Sequence, residues 1–134
     1  MALVNLLCHR NTRPGQSDGA ILGNADKIAV LQQADAFISH CGMNSVSESL
    51  YFEVPLVMLP QTPEQSGVAE RVRQLGAGIK LDQSDAASVL DAIERVFSDR
   101  TYAEKAAELA NGFKRCPGAK GAADKILQVC HNVV

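Results

Sequence analysis

The chain has 134 residues, of which 46% are hydrophobic, with a net charge of −2 and a sequence pI near 5.9. That length suits one domain, residues 1–134, with apolar content for one core. The slightly acidic balance argues against a nucleic-acid partner, which goes with a basic surplus, and no run of about 18 apolar residues is present to form a transmembrane helix.

Residues 1–8 are apolar but lack a basic leading region and a small-residue cleavage site, so they read as a buried strand over 3–8 rather than a signal peptide. Residues 9–19 are a loop by composition, and Ala20-Ile21-Leu22 suggests a second strand. Ile28, Val30, Leu31 and Ala34 predict a short helix ending near Gln33. Ala36-Phe37-Ile38-Ser39 predicts a short buried strand, and 44–52 a helix. Pro55-Leu56-Val57-Met58-Leu59 predicts a strand closed by Pro60. A helix over 64–75 follows, with Val68, Val72 and Leu75 on one face and Gly76 as its stop. Gly78-Ile79-Lys80-Leu81 predicts the next strand.

Apolar strands alternating with helices imply an α/β fold with a parallel sheet covered on both faces. The last third is helical. Ser84 is a suitable N-cap for a helix to about Phe97, with Val89, Leu90, Ile93 and Val96 spaced for one face. A second helix spans about 101–113, Pro117-Gly118 breaks the chain, and a last helix reaches about His131.

The four cysteines, Cys8, Cys41, Cys116 and Cys130, have neither zinc-site nor disulfide-framework spacing, which points to reduced thiols in a cytoplasmic protein. His9, His40 and His131 show no metal-ligand spacing, so no metal is expected.

The chemistry concentrates in residues 36–48, read as strand, turn and helix. His40 falls at the carboxyl end of a strand, Gly42 in the connection, and Asn44 and Ser45 in the first turn of the helix. Ligands of open parallel sheets bind outside the carboxyl ends of the strands. The unpaired N–H groups of a helix start favour an anion there. A diphosphate fits: Gly42 permits close approach, while His40, Asn44 and Ser45 add donors. Glu48 lies one turn beyond Asn44, where a carboxylate could accept from a ribose diol. Glu64 and Gln65 follow the next strand, reach the same rim, and suit sugar hydroxyls. Each residue also has a plainer reading as a helix cap, a solvated acid or a dipole-matched acid. Spacing alone leaves both readings open.

The series His40-Cys41-Gly42-Met43-Asn44-Ser45-Val46-Ser47-Glu48-Ser49-Leu50, with Val54-Pro55, Pro60, Glu64-Gln65, Ala69-Glu70-Arg71 and Leu75-Gly76-Ala77-Gly78, is similar to the donor-binding signature of the UDP-glycosyltransferases. The nearest flavour is the macrolide and antibiotic glycosyltransferases of bacteria. The resemblance spans roughly 30–81, with helices in the right order through about 126. It implies the carboxy-terminal, Rossmann-like half of the two-domain GT-B architecture. It also implies a UDP-sugar co-substrate with no metal or other cofactor: His40, Gly42, Asn44 and Ser45 at the diphosphate, Glu48 at the ribose, Glu64 and Gln65 at the sugar.

Three positions depart from the family pattern. The Trp-x-Pro-Gln-like stretch that packs on the base is Asn24-Ala25-Asp26-Lys27, and the chain has no Trp. The usual Gly before Val-Pro is Glu53, and a usual Asn after the acid–Gln pair is Val68. An acceptor-binding domain with the catalytic base is also missing; His9 matches no base motif. The resemblance therefore implies the donor domain of an inverting glycosyltransferase, inactive alone, with UDP-glucose the family default and a small-molecule acceptor. Its partner would be an acceptor-binding domain or a separate chain, as in split enzymes whose second chain is membrane-associated. UDP-N-acetylglucosamine epimerases share the fold, but none of their motifs is present. A non-catalytic or degenerate nucleotide-binding module remains open, and the face left by an absent domain would favour self-association.

Overall fold

The computed structural model describes residues 27–133 and the backbone of 6–8 and 20–21. The loop read at 9–19, His9 and residues 24–26 lie outside the described residues. Five strands, β1 (Leu6–Cys8), β2 (Ala20–Ile21), β3 (Ala36–Ser39), β4 (Leu56–Met58) and β5 (Gly78–Lys80), form one sheet in the order β2-β1-β3-β4-β5. The β3, β4 and β5 strands are parallel, with Phe37 opposite Leu56 and Leu56 opposite Gly78. The alternation of elements did not reveal that β1 pairs antiparallel with both β3 and β2.

The parallel strands are short and apolar because both faces are covered. Side chains alternate along a strand. Phe37, Leu56 and Met58 face one core, with Leu31 of α1 (Lys27–Leu31), Val46 and Leu50 of α2 (Met43–Tyr51), Ala69 and Val72 of α3 (Pro63–Gln74), and Ala106 of α5 (Thr101–Arg115). Ala36, Ile38, Val57 and Ile79 face the other, against Ala92 and Val96 of α4 (Ala86–Ser98). Full burial of side chains such as Phe37 and Leu56 contributes about 1.5–3 kcal/mol each. Gly78 admits close strand approach: a Cβ there would lie 2.4 Å from the Leu56 carbonyl oxygen.

Local signals place the element ends, with two corrections. The α4 N-cap is Asp85 rather than Ser84; its carboxylate accepts from Ser88 N at 2.9 Å and from Ser88 Oγ at 2.8 Å. Leu90 is 60% exposed, not part of the buried face. The stripe against the sheet is Val89, Ala92, Ile93 and Val96; at 100° per residue Leu90 falls beyond its edge. The final helix, α6 (Gly118–His131), has no buried residue, and Ile126, Leu127 and Val129 are exposed.

Glu53 explains one departure seen in the sequence. Its φ is 65°, the left-handed region that glycine enters without penalty. The connection is clamped on both sides: Val54 N donates to Ser49 O at 2.9 Å, and Ser49 Oγ to Val54 O at 2.8 Å. The Glu53 side chain accepts from Lys114 Nζ at 2.8 Å.

Candidate functional site

The carboxyl ends of β3, β4 and β5 share one rim, tied by Leu59 N donating to Ser39 O (2.9 Å) and Leu81 N to Met58 O (2.8 Å). His40, Cys41 and Gly42 turn the chain from β3 into α2. Ser39 Oγ accepts from Cys41 N at 3.1 Å, which holds Cys41 at φ 70°. Cys41 is fully buried. Burial pushes its thiol up to about 12, with Lys80 pulling weakly the other way, so it is a packing group and no nucleophile.

Gly42 is the N-cap of α2 and supplies no side-chain cap. The first intrahelical bond is from Val46 N to Gly42 O, 3.1 Å. The N–H groups of Met43, Asn44 and Ser45 precede it and have no acceptor within the helix. A hollow of about 340 Å³ lies at this helix start, lined by Gly42, Met43, Asn44, Ser45 and Glu64. Three of the four predicted diphosphate residues thus meet there. His40 packs beside them: a Cβ on Gly42 would lie 3.2 Å from His40 Nε2. The missing Cβ therefore makes room for the imidazole. His40 Nδ1 is buried without a hydrogen-bond partner, an expensive state for a ring nitrogen that has no ligand to meet.

Glu64, in the first turn of α3, lines the same hollow. Gln65 does not. Its side-chain oxygen accepts from Gln61 N at 2.8 Å, and its own N donates to Thr62 Oγ1 at 3.3 Å. This arrangement is close to a capping box, and it leaves the Gln65 amide nitrogen and one lone pair of its oxygen without a partner within this cap.

Glu48 stands one turn into α2, and its carboxylate forms an ion pair with the Lys27 ammonium. Lys27 Nζ also donates to Ser45 Oγ at 3.3 Å. The sequence reading noted Lys27 only within an altered stretch; no local pattern signals a contact 18 residues away. Ile28, Ser47, Glu48, Tyr51, Phe52 and Phe113 line an apolar cleft of about 320 Å³ beside this pair. No helix of the described residues is long and apolar enough to cross a membrane.

Comparison with known proteins agrees with this architecture. Residues 24–129 match the family described as "Erythromycin biosynthesis protein CIII-like, C-terminal domain". The chain is 42% identical over 104 residues to the uncharacterized UDP-glucosyltransferase YojK of Bacillus subtilis (strain 168), covering 76% of this chain and 26% of that protein. It is 39% identical over 102 residues to the NDP-glycosyltransferase YjiC of Bacillus licheniformis, covering 75% of this chain and 26% of the relative. The calicheamicin glycosyltransferase CalG4 superposes with TM-score 0.72 at 31% identity, over 80% of this chain and 29% of its own. The glycotransferase of kitacinnamycin gives TM-score 0.71 at 34% identity, over 76% of this chain and 27% of its own. The chain spans about a quarter of the length of these curated relatives.

Proposed function

The chain belongs to the erythromycin biosynthesis protein CIII-like carboxy-terminal domain family of glycosyltransferases, and on that premise we propose that it is the donor-binding part of an inverting enzyme that transfers a hexose, glucose by default, from a UDP-sugar to a small-molecule acceptor. The observation that carries the proposal is the uncapped start of α2 at the carboxyl end of β3, beside the partnerless Nδ1 of His40. A diphosphate would complete the open helix start, with His40 Nε2 the ring nitrogen on the Gly42 side. Three free N–H groups and the helix dipole favour its charge, and His40, Asn44 and Ser45 add side-chain donors. Glu48 takes the ribose hydroxyls, and Glu64 and Gln65 the sugar hydroxyls, Gln65 through its amide group beside its bond to Gln61 N.

In the proposed reaction the acceptor oxygen bonds to the anomeric carbon from the face opposite the diphosphate. The bond from that carbon to the diphosphate oxygen breaks, and UDP leaves with the electron pair toward His40 and the α2 start. These donors do what a metal would otherwise do. Loss of one well-placed oxyanion donor typically costs about 2.7–4 kcal/mol of transition-state stabilisation. The base that takes the acceptor's proton would come from an acceptor-binding domain or partner chain, so this chain alone is expected to be inactive.

Calorimetric titration with UDP and UDP-glucose tests the reading. Measurable binding that weakens by about 1–3 kcal/mol in His40→Ala, the cost of a lost hydrogen bond to a charged group, is the expected result. No heat and no amide shift at millimolar UDP would remove the donor site. A non-catalytic nucleotide-binding module is the second reading, favoured by the Lys27–Glu48 pair at the ribose position. Sugar transfer after addition of a relative's acceptor domain would exclude it.

A further inference from the structure

The hollow at the α2 start has a charge problem. Its lining is Gly42, Met43, Asn44, Ser45 and Glu64, with one formal charge, and that charge is negative. A helix start offers the equivalent of about half a positive charge, which does not offset both Glu64 and an incoming diphosphate. A full cation stands next to the hollow. Lys27 Nζ is 3.3 Å from Ser45 Oγ, a wall of the hollow, while it also pairs with Glu48. Its side chain is 23% exposed and that of Glu48 is 33% exposed, while the paired Glu48 Oε2 is itself buried, so the ribose acceptor is covered in the free chain. A lysine head on four flexible methylenes can change partners without backbone movement.

We propose that Lys27 is an exchangeable diphosphate ligand: it rests on Glu48 and Ser45 in the free chain and turns to the phosphates when a nucleoside diphosphate binds, which releases Glu48 to accept from the ribose hydroxyls. The inference rests on the donor-site reading above and adds a coupling to it. One ammonium neutralises Glu48 before binding and the phosphates after it. Phosphate binding therefore uncovers the ribose acceptor. A nucleoside without phosphates offers Lys27 no new partner and must compete with the ion pair for Glu48. A lysine that merely plugged the ribose position would instead oppose nucleoside and nucleotide alike.

The test is titration of UDP and of uridine, followed by amide chemical shifts, into the wild-type chain, Lys27→Met and Lys27→Arg at low and moderate salt. Met keeps the stem and the helix propensity but not the charge, and thermal melts check that each variant is folded. Lys27→Met should bind UDP roughly tenfold more weakly, the size of a lost hydrogen bond to a charged group. Its UDP affinity should also depend less on salt. The same variant should bind uridine more tightly than wild type, because Glu48 is free. Lys27→Arg should retain most of the UDP affinity. UDP binding to Lys27→Met that is unchanged or tighter would overturn the inference in favour of a plug. Equal losses for UDP and uridine would also overturn it and reduce Lys27 to a brace for α1. A wild-type chain that binds no UDP would fail earlier, at the donor-site reading, and so is distinguishable from either result.

Discussion

Two helices start on the same rim of the sheet and are built in opposite ways. The α3 helix begins with Thr62 as N-cap, Pro63 behind it, and the Gln65 side chain closing back on Gln61. The α2 helix begins with Gly42, no side-chain cap, and a hollow in front of its first turn. A helix start that satisfies its own donors is structural. One that leaves them open, beside a buried imidazole nitrogen without a partner, is prepared for an anion. The contrast supports α2 rather than α3 as the proposed phosphate site, with Glu64 the α3 residue that lines the same hollow.

The largest expected effect comes from making α2 resemble α3. Gly42 has φ −60° and ψ 138°, a backbone conformation open to any L-residue, while an added Cβ would press on His40 Nε2 at 3.2 Å and so disturb a second proposed phosphate donor. Gly42→Asp should cap the helix with its own carboxylate and weaken UDP binding by about 3 kcal/mol or more, since it replaces and repels the phosphate. Calorimetry reads the loss; retained affinity would place the phosphate elsewhere. The turn itself comes next. Cys41 is buried and left-handed, so a β-branched Cys41→Val should destabilise by about 1–3 kcal/mol in denaturant melts. The raised Cys41 thiol also sets a sign for pH. The folded state holds that proton from 9.0 up to about 12. Its contribution to stability is therefore complete below pH 9 and is lost as pH rises through that window. At pH 8, Cys116 and Cys130, both exposed, should react with iodoacetamide well before Cys41; equal rates by mass spectrometry would contradict the buried placement.

Thr62→Ala is the counterpart of His40→Ala. Loss of the cap should cost about 1 kcal/mol of stability, with UDP affinity nearly unchanged, whereas His40→Ala should do the reverse. Parallel effects on both quantities would erase the distinction between the two helix starts. The smallest effect is expected at Glu53→Gly. Relief of the left-handed conformation is offset by glycine's backbone entropy and by loss of the exposed pair with Lys114, itself worth about 0–1 kcal/mol. A melt should show a change within about 1 kcal/mol of zero on this balance.

Much of this contrast was legible before any coordinates. Residues 36–39 and 56–58 are largely apolar stretches too short for helices and bounded by turn residues, and they are strands, as is Gly78-Ile79-Lys80. The His40-to-Glu48 spacing alone put a helix start at the sheet rim. The Thr62 cap of α3 emerged only in the fold. Gln65 was read with Glu64 as suited to sugar hydroxyls from its place after β4, and the fold adds that its side chain also reaches back to Gln61 N. Leu90 was misplaced because apolar identity counted for more than its angle on the helix. The β1 direction was not legible, since a three-residue apolar run carries no information about which neighbour it pairs with.

The sequence by itself determined the local structures: which residues form strands, where helices start and stop, and that one start carries His, Gly, Asn and Ser in a pattern that resembles a nucleotide-sugar site. Those properties depend on residues a few positions apart, where periodicity and capping act. Only the tertiary structure decided that Glu48 is held by Lys27, that Gly42 makes room for His40, that Glu53 must turn left-handed, and that Glu64 lines the hollow while Gln65 accepts from Gln61 N. Each depends on packing between groups whose separation in space is not encoded by separation along the chain. The open helix start belongs to the sequence; the charge that guards it belongs to the fold.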